Sequence, residues 1–511
     1  MTAQPTHSFL PRALLAVGLA SLLLRLFISV TFPISGDEAF FYWWGVYPDW
    51  GYSDHPPMVG WVIAAARAVL GDSIWAIRLP VVLLPLGVGG ALWWGLKGLS
   101  RQRAAWAVLL FWLAPLNWLN MLITTDTPLI FWSAWSVAAL LRAEQRPALD
   151  RTAYGLYALS GGLLGCAFLS KYFSVVLGLA YGVYFVLYRR ERLAGLALLV
   201  LCALPGPAIN IAYNMSHGWS NIMFNLYNRN AQEVFEWRKP LTYLGMMAYL
   251  ITPAALWLAL RHRRGVVAAA RASAGQRVLA CLVVVPLLFF ALLSLKKVIG
   301  LHWVMSFYPF GFALLALALP PDKLKTCAKG LAVFAGMHVL VVAGLYMTTL
   351  DTWKASARYP QIVRSVKTAE MLQQVTVPGV VLMGEAYTPA SIFGFERRQY
   401  MPVFGVGKFH ARQDDALVDF SIYQGKTIRV ITADQPVLEE FSPYFERVTV
   451  LRFMQSGVPF YAVEGTGFNY EAYRRGVLGE IFKRFYNIPK ALPMTGCPFC
   501  ERYCGAVRCP S

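Results

Sequence analysis

The chain has 511 residues, 57% of them hydrophobic and only 14% charged, where a soluble globular domain is about a quarter charged. That balance excludes a purely soluble protein and points to a bilayer as the solvent of much of the chain. The net charge of +19 would suit nucleic acid on a soluble surface, so the placement of the basic residues decides what it means.

The first apolar segment, 13–32, is too long for a signal-peptide core of about 7–15 residues, carries Arg25 inside it and has no small-residue cleavage site. It reads as a retained first helix. Ten more segments approach the roughly 20 apolar residues a span needs: 74–96, 104–122, 127–141, 153–170, 172–188, 193–213, 241–260, 278–294, 303–319 and 329–348. About eleven transmembrane helices are therefore expected. Basic clusters fall on alternate connections: Lys97, Arg101 and Arg103; Arg142, Arg146 and Arg151; Arg189, Arg190 and Arg192; Arg261, Arg263 and Arg264; Lys323, Lys325 and Lys329. This positive-inside pattern accounts for much of the charge without nucleic acid. It puts the N-terminus inside and the segment after Tyr346 outside.

The other connections are external. The first, 33–73, is long and aromatic and includes Met58 to Leu70, an apolar stretch too short to span, read as a helix lying at the interface. A second runs over 214–240. After residue 350 charges rise and β-type runs appear at 379–383, 427–431 and 459–463, with helical stretches between. The expected organisation is a transmembrane domain over 1–349 and an external α/β domain over 350–511, about 160 residues and long enough for its own core. Cys497, Cys500, Cys504 and Cys509 close that domain. In an oxidising compartment they read as two disulfides, with a zinc site as the alternative. Cys166, Cys202, Cys281 and Cys327 lie in or beside helices and read as packing residues.

Chemistry-bearing residues gather in the external connections. Asp37 and Glu38 adjoin Phe40, Phe41, Tyr42, Trp43 and Trp44. Beside an interfacial aromatic belt they could be a solvated turn, but a carboxylate held among aromatic rings is also a candidate general base. Asp54 and His55 precede Pro56 and Pro57, which stop any helix and stiffen the turn. They could orient substrate or, with Asp37, hold a divalent cation, Mg or Mn. Asp126, in Thr124-Thr125-Asp126-Thr127-Pro128, reads as a helix N-cap and also brings an external carboxylate. Lys171 lies between two apolar helices on the external side, where a cation either snorkels or has a partner such as phosphate. Lys296, Lys297 and His302-Trp303 repeat the signal, and Arg25 lies about 10 Å below the outer end of its helix. Together these cations could cradle a lipid phosphate.

Asp37-Glu38, Asp54-His55-Pro56-Pro57, Thr125-Asp126-Thr127-Pro128-Leu129 and Leu169-Ser170-Lys171-Tyr172 resemble the motifs of the bacterial dolichyl-phosphate-mannose protein mannosyltransferase-like family, which has the GT-C fold and includes relatives of the lipid A aminoarabinose transferases. The resemblance covers about residues 10 to 350. It implies an inverting glycosyltransferase using a polyprenyl-phosphate sugar, with Asp37 or Glu38 activating the acceptor hydroxyl, Asp126 as a second acid and Lys171 on the carrier phosphate. The acceptor would be lipopolysaccharide, another glycolipid or protein, at the periplasmic face of a bacterial inner membrane. Glu385-Ala386-Tyr387 and Gly405-Val406-Gly407-Lys408-Phe409-His410 look like the extra domain of some bacterial members. No Gly-rich phosphate loop is present, so no nucleotide cofactor is expected. The rival reading is a polytopic transporter or lipid flippase, with buried Lys and Asp as relay groups; it predicts two related halves, which the sequence does not show.

Overall fold

The structure is a computed structural model, and it describes residues 9–228, 235–407 and 412–504. The chain divides into two compact units, each discontinuous: Met1–Phe32, Ala65–Ala208 and Gln232–Met347 form one, and Pro33–Ala64, Ile209–Ala231 and Thr348–Ser511 form the other. Most of the first loop, Pro33–Ala64, is thus part of the same unit as the tail, which a division at residue 350 does not capture.

The first unit is helical. Among the described residues, six helices are long and apolar enough to cross a membrane: Phe9–Thr31, Ile74–Leu96, Arg151–Ser170, Arg190–Ser216, Ala274–Ser294 and Pro321–Met347. A seventh span arises if Arg238–Ile251 and Pro253–Arg261, bent by 91°, count as one. The shortfall against eleven has local causes. Segment 104–122 breaks after Leu113, before Pro115, leaving a helix of 13 residues. Segments 172–188 and 303–319 form apolar helices of only 15 and 11 residues, Ser174–Tyr188 and Tyr308–Ala318. The bend at 252–253 follows from Thr252 at φ 72° and proline at the first helical position.

Phe9–Thr31, 23 residues, measures about 34 Å, enough for a hydrocarbon core of about 30 Å. Its Leu15, Leu19 and Leu23 point outward, as they do where lipid is the solvent. Arg25 is buried instead, 2% exposed, and the cause lies in the neighbouring helix. Pro85 inside Ile74–Leu96 has no N–H to give Val81, four residues earlier. Arg25 Nη1 donates to that carbonyl at 2.7 Å, and Nη2 donates to Asn117 O at 2.6 Å. An apolar medium offers no water to satisfy such a carbonyl, so the arginine is retained as a helix-to-helix pin. One basic cluster is also partly structural: Arg189 Nε lies 3.0 Å from Glu144 Oε2, an oxygen that accepts from Tyr184 at 2.6 Å.

The second unit contains a four-stranded sheet: β1 (Val381–Gly384), β2 (Ile428–Thr432), β3 (Arg447–Gln455) and β4 (Val458–Thr466), in the order β1-β2-β4-β3. β1 and β2 are parallel, and the other pairs are antiparallel. β2 is buried along its whole length. Val430 packs with Met383, Val463 and Phe468 in one core, while Ile431 packs with Leu382, Ala462 and Phe460 in another, so both sheet faces are covered. Arg429, the second residue of this strand, is compensated by Glu464 on β4. β3 and β4 form a hairpin whose two turn residues, Ser456 and Gly457, have φ of 51° and 78°, as the twist of a two-residue turn requires. The helix Met58–Leu70 has the bounds read from its apolar run.

Candidate functional site

In the first unit, Asp126 opens the helix Asp126–Glu144. It is the first helical residue rather than the N-cap; Thr125 takes that place and makes no side-chain cap bond. Lys171 ends the helix Arg151–Ser170 in extended backbone, φ −166°, which turns its side chain out of the helical ladder. Lys171 Nζ donates to both oxygens of Asp126, at 2.8 and 2.9 Å. The pair is nearly enclosed, with side-chain exposures of 11% and 6%. So the partner of Lys171 is protein carboxylate, and the two residues read from separate motifs form one feature. Lys171 Nζ also lies 5.5 Å from the Phe173 ring centre, and Phe173 packs on Trp303 at 4.7 Å. His302, beside Trp303, is exposed. Lys296 is exposed and Lys297 half-buried; the Lys296 carbonyl accepts from Lys239 Nζ at 3.1 Å. Lys239 is a further cation there that sequence reading passed over. Arg25, expected among the phosphate-binding cations, has both terminal nitrogens on carbonyl groups, which gives it a structural task instead.

In the second unit, Asp37 and Glu38 stand in the first turn of the helix Gly36–Val46 and differ sharply. Glu38 is fully buried and closes a capping box: its Oε2 accepts from Ser35 N at 3.1 Å, and its own N–H donates to Ser35 Oγ at 3.3 Å. Asp37 is exposed, and its side chain has no hydrogen bond or ion pair among the described residues. The aromatic run following them packs inward, with Trp44 stacked on Tyr52 at 4.3 Å. Asp54 Oδ2 lies 3.1 Å from His55 Nδ1, and the His55 ring meets Phe41 and Trp44 at centroid distances of 6.1 and 5.9 Å.

The same side chains are potential cation donors. Asp54 and His55 supply two, and among the described residues no group of three or more His, Cys, Asp and Glu side chains could hold a metal.

Of the tail cysteines, Cys497 and Cys500 are joined in a disulfide. Cys504 is disulfide-bonded as well, and Cys509 lies outside the described residues, as do Lys408, Phe409 and His410. The tail is tied to the 214–219 turn: Gly218 N donates to Gly496 O at 3.1 Å, and Trp219 Nε1 to Pro493 O at 2.8 Å. The cysteines Cys166, Cys202, Cys281 and Cys327 are free, the last two buried.

Sequence reading missed the charged core of this unit. Arg412, Asp414 and Asp415 are at most 3% exposed. Arg412 Nε lies 3.0 Å from Asp415 Oδ1, Tyr486 OH donates to Asp415 Oδ2 at 2.9 Å, and Asp414 accepts from Val403 N at 2.8 Å and from Tyr400 OH. Burial pushes the Asp415 carboxyl up to about 6, against the pull of the Arg412 guanidinium, and raises Asp414 in the same way. The run Arg412-Gln413-Asp414-Asp415 looks like an ordinary solvated stretch in sequence, and only its burial distinguishes it.

Residues 54–211 match the family described as dolichyl-phosphate-mannose-protein mannosyltransferase, a segment that contains Asp54, His55, Asp126 and Lys171. No curated protein matches the chain significantly in sequence. Among solved structures, ArnT from Cupriavidus metallidurans in its apo state is 15% identical, with a TM-score of 0.61 over 89% of this chain and 98% of that one. The same protein bound to undecaprenyl phosphate is also 15% identical, with a TM-score of 0.62 over 88% and 97%. The archaeal oligosaccharyltransferase AglB from Archaeoglobus fulgidus, in complex with an inhibitory peptide and a dolichol-phosphate, is 11% identical, with a TM-score of 0.50 over 90% and 74%. At these identities the structures speak to fold, and together with the matched segment they bear out the resemblance of this chain to the mannosyltransferase-like and aminoarabinose transferase-like family of GT-C proteins.

Proposed function

We propose that the protein is an inverting glycosyltransferase that moves a sugar from a polyprenyl-phosphate carrier to an envelope acceptor at the outer face of a bacterial inner membrane, with about eleven membrane-crossing segments and the tail on the periplasmic side. The observation that carries this reading is the enclosed Asp126–Lys171 pair, inside the segment that matches the mannosyltransferase family. An enclosed ion pair costs desolvation and is weak evidence for stability alone, so its presence in an apolar helical unit calls for a task. A lipid phosphate is a partner that suits Lys171, and ArnT, a structural neighbour, has been solved with undecaprenyl phosphate bound.

In the proposed reaction the acceptor oxygen forms a bond to the anomeric carbon as the bond from that carbon to the phosphate oxygen breaks, inverting the centre. The acceptor proton passes to a carboxylate, and the bonding pair leaves on the carrier phosphate, whose growing charge Lys171 stabilises. Asp37 suits the base because it is exposed and uncommitted among the described residues, while Glu38 is engaged in its capping box. Asp126 orients Lys171. The acceptor is a glycolipid, lipopolysaccharide included, or a protein.

The test begins with mass spectrometry of envelope glycolipids and glycoproteins from cells with and without the gene, which identifies donor and acceptor. Transfer is then measured in detergent. Asp37→Asn should lower the rate about 10²–10⁴-fold while the protein stays folded, and Glu38→Gln, which keeps an acceptor for Ser35 N–H, should leave most of it. Wild-type rates in Asp37→Asn, Glu38→Gln and their double variant, with the protein folded, would remove these two acids from catalysis and leave Asp126 as the leading acid. Movement of lipid across liposomes with no consumption of lipid-linked sugar would favour a flippase.

A further inference from the structure

The turn carrying Asp54 and His55 is held by side-chain amides from two other parts of the second unit. Asn221 Nδ2 donates to the Tyr52 carbonyl at 2.7 Å. The Ser53 N–H donates to Gln413 Oε1 at 3.0 Å. Asn225 Nδ2 donates to the Asp54 carbonyl at 2.8 Å. Three consecutive residues of the turn thus each have a backbone group bonded to a side chain remote in sequence, the separations being 169, 360 and 171 residues. Asn221 and Gln413 are 0% and 3% exposed, so these bonds are shielded from water.

The amides are themselves positioned. Asn221 lies in the helical turn Ser220–Met223, and Asn225 in the π-helical turn Phe224–Asn228 that continues it. Asn225 Nδ2 also donates to Asn221 O at 3.0 Å, which couples the two. Gln413 sits between Arg412 and Asp414, both fixed in the charged core described above. The turn is closed against this frame: Tyr52 N donates to His55 O at 3.0 Å, and a Cβ on Gly51 would lie 2.4 Å from the Tyr213 ring.

We infer that Gln413, Asn221 and Asn225 are positioning residues that fix the Asp54–His55 turn, and that a task of the tail after residue 348 is to supply Gln413 to this clamp. The link to catalysis rests on the glycosyltransferase reading; the clamp does not. Side-chain amides suit the job, since an amide can donate to a carbonyl or accept from an N–H without placing charge beside the Asp54–His55 pair.

The test uses the purified full chain in detergent. Gln413→Met is close in shape and lacks the acceptor; Asn225→Leu removes the donor to Asp54. Hydrogen exchange with mass spectrometry follows peptides covering 50–57 and, in the same digest, those covering β2 and β4. The expected result is exchange at least about ten-fold faster in 50–57 with β2 and β4 unchanged, and faster carbethoxylation of His55. Unchanged exchange in 50–57 overturns the clamp. Equal loss of protection in β2 and β4 also overturns it, and makes Gln413 a core residue of the unit. Once donor and acceptor are known, Gln413→Met should lower kcat about ten-fold with donor KM within about two-fold. A normal kcat with a loosened turn would separate turn from catalysis, and absence of transfer in the wild type would sink the glycosyltransferase reading while leaving the exchange result standing.

Discussion

Two buried charge clusters, one in each unit, show how differently a protein can house ions. In the first unit Asp126 and Lys171 have each other and, among the described residues, little else: two hydrogen bonds and an aromatic ring. In the second, Arg412, Asp414 and Asp415 are bonded in addition to Tyr400, Tyr486, the Val403 N–H and the Gly405 carbonyl. A network in which each carboxylate has two or more partners resists exchange of partners, because any newcomer must replace several bonds at once. A pair joined by one bidentate contact can change partners for another anion at lower cost. The first arrangement suits a substrate-facing cation; the second suits a scaffold.

Four measurements would break or sharpen this contrast. Arg412→Met leaves two carboxyl groups in the core of the second unit without their cation and should cost about 5 kcal/mol, seen as loss of the unit's folded signature by hydrogen exchange. A loss near zero would mean the network is not a scaffold. Lys171→Met strands Asp126 and should cost about 3–5 kcal/mol in a detergent unfolding titration, and it should abolish stabilisation by undecaprenyl phosphate.

The third measurement is pH dependence. The Asp415 carboxyl titrates at about 6 in the folded unit against 3.8 for the free group, so the folded state binds the proton more tightly. Its contribution is fully present below about pH 4 and is lost as pH rises through about 6, about 3 kcal/mol in all. Asp415→Asn should flatten the stability profile of the second unit between pH 4 and 6; an unchanged slope would assign it to other groups. The smallest effect is expected from the double variant Asp126→Leu with Lys171→Met. Replacing both ions with apolar side chains should return stability to within about 1 kcal/mol of wild type, while undecaprenyl phosphate still fails to stabilise it. Full phosphate-dependent stabilisation in the double variant would remove Lys171 from the donor site.

What the sequence by itself determined follows from period and solvent. Long apolar runs must be helices where no water satisfies the backbone, so 13–32, 74–96, 153–170, 193–213, 278–294 and 329–348 were legible, and the β-type runs at 379–383, 427–431 and 459–463 fall on β1, β2 and β4. β3 escaped because its alternation is weak and it is largely exposed. Motif spacing singled out Asp37, Asp54, His55, Asp126 and Lys171. What only the tertiary structure decided concerns partners far apart in the chain. Nothing near Lys171 announces Asp126, 45 residues earlier, and nothing near Arg25 announces the carbonyl that Pro85 leaves open. Glu38 and Asp37 are neighbours in sequence yet one is sealed in a capping box and the other exposed, because a helical turn points successive residues about 100° apart. Gln413 reaches Ser53 across 360 residues, and local sequence carries no trace of such a bond, since its geometry is set by the folding of everything between.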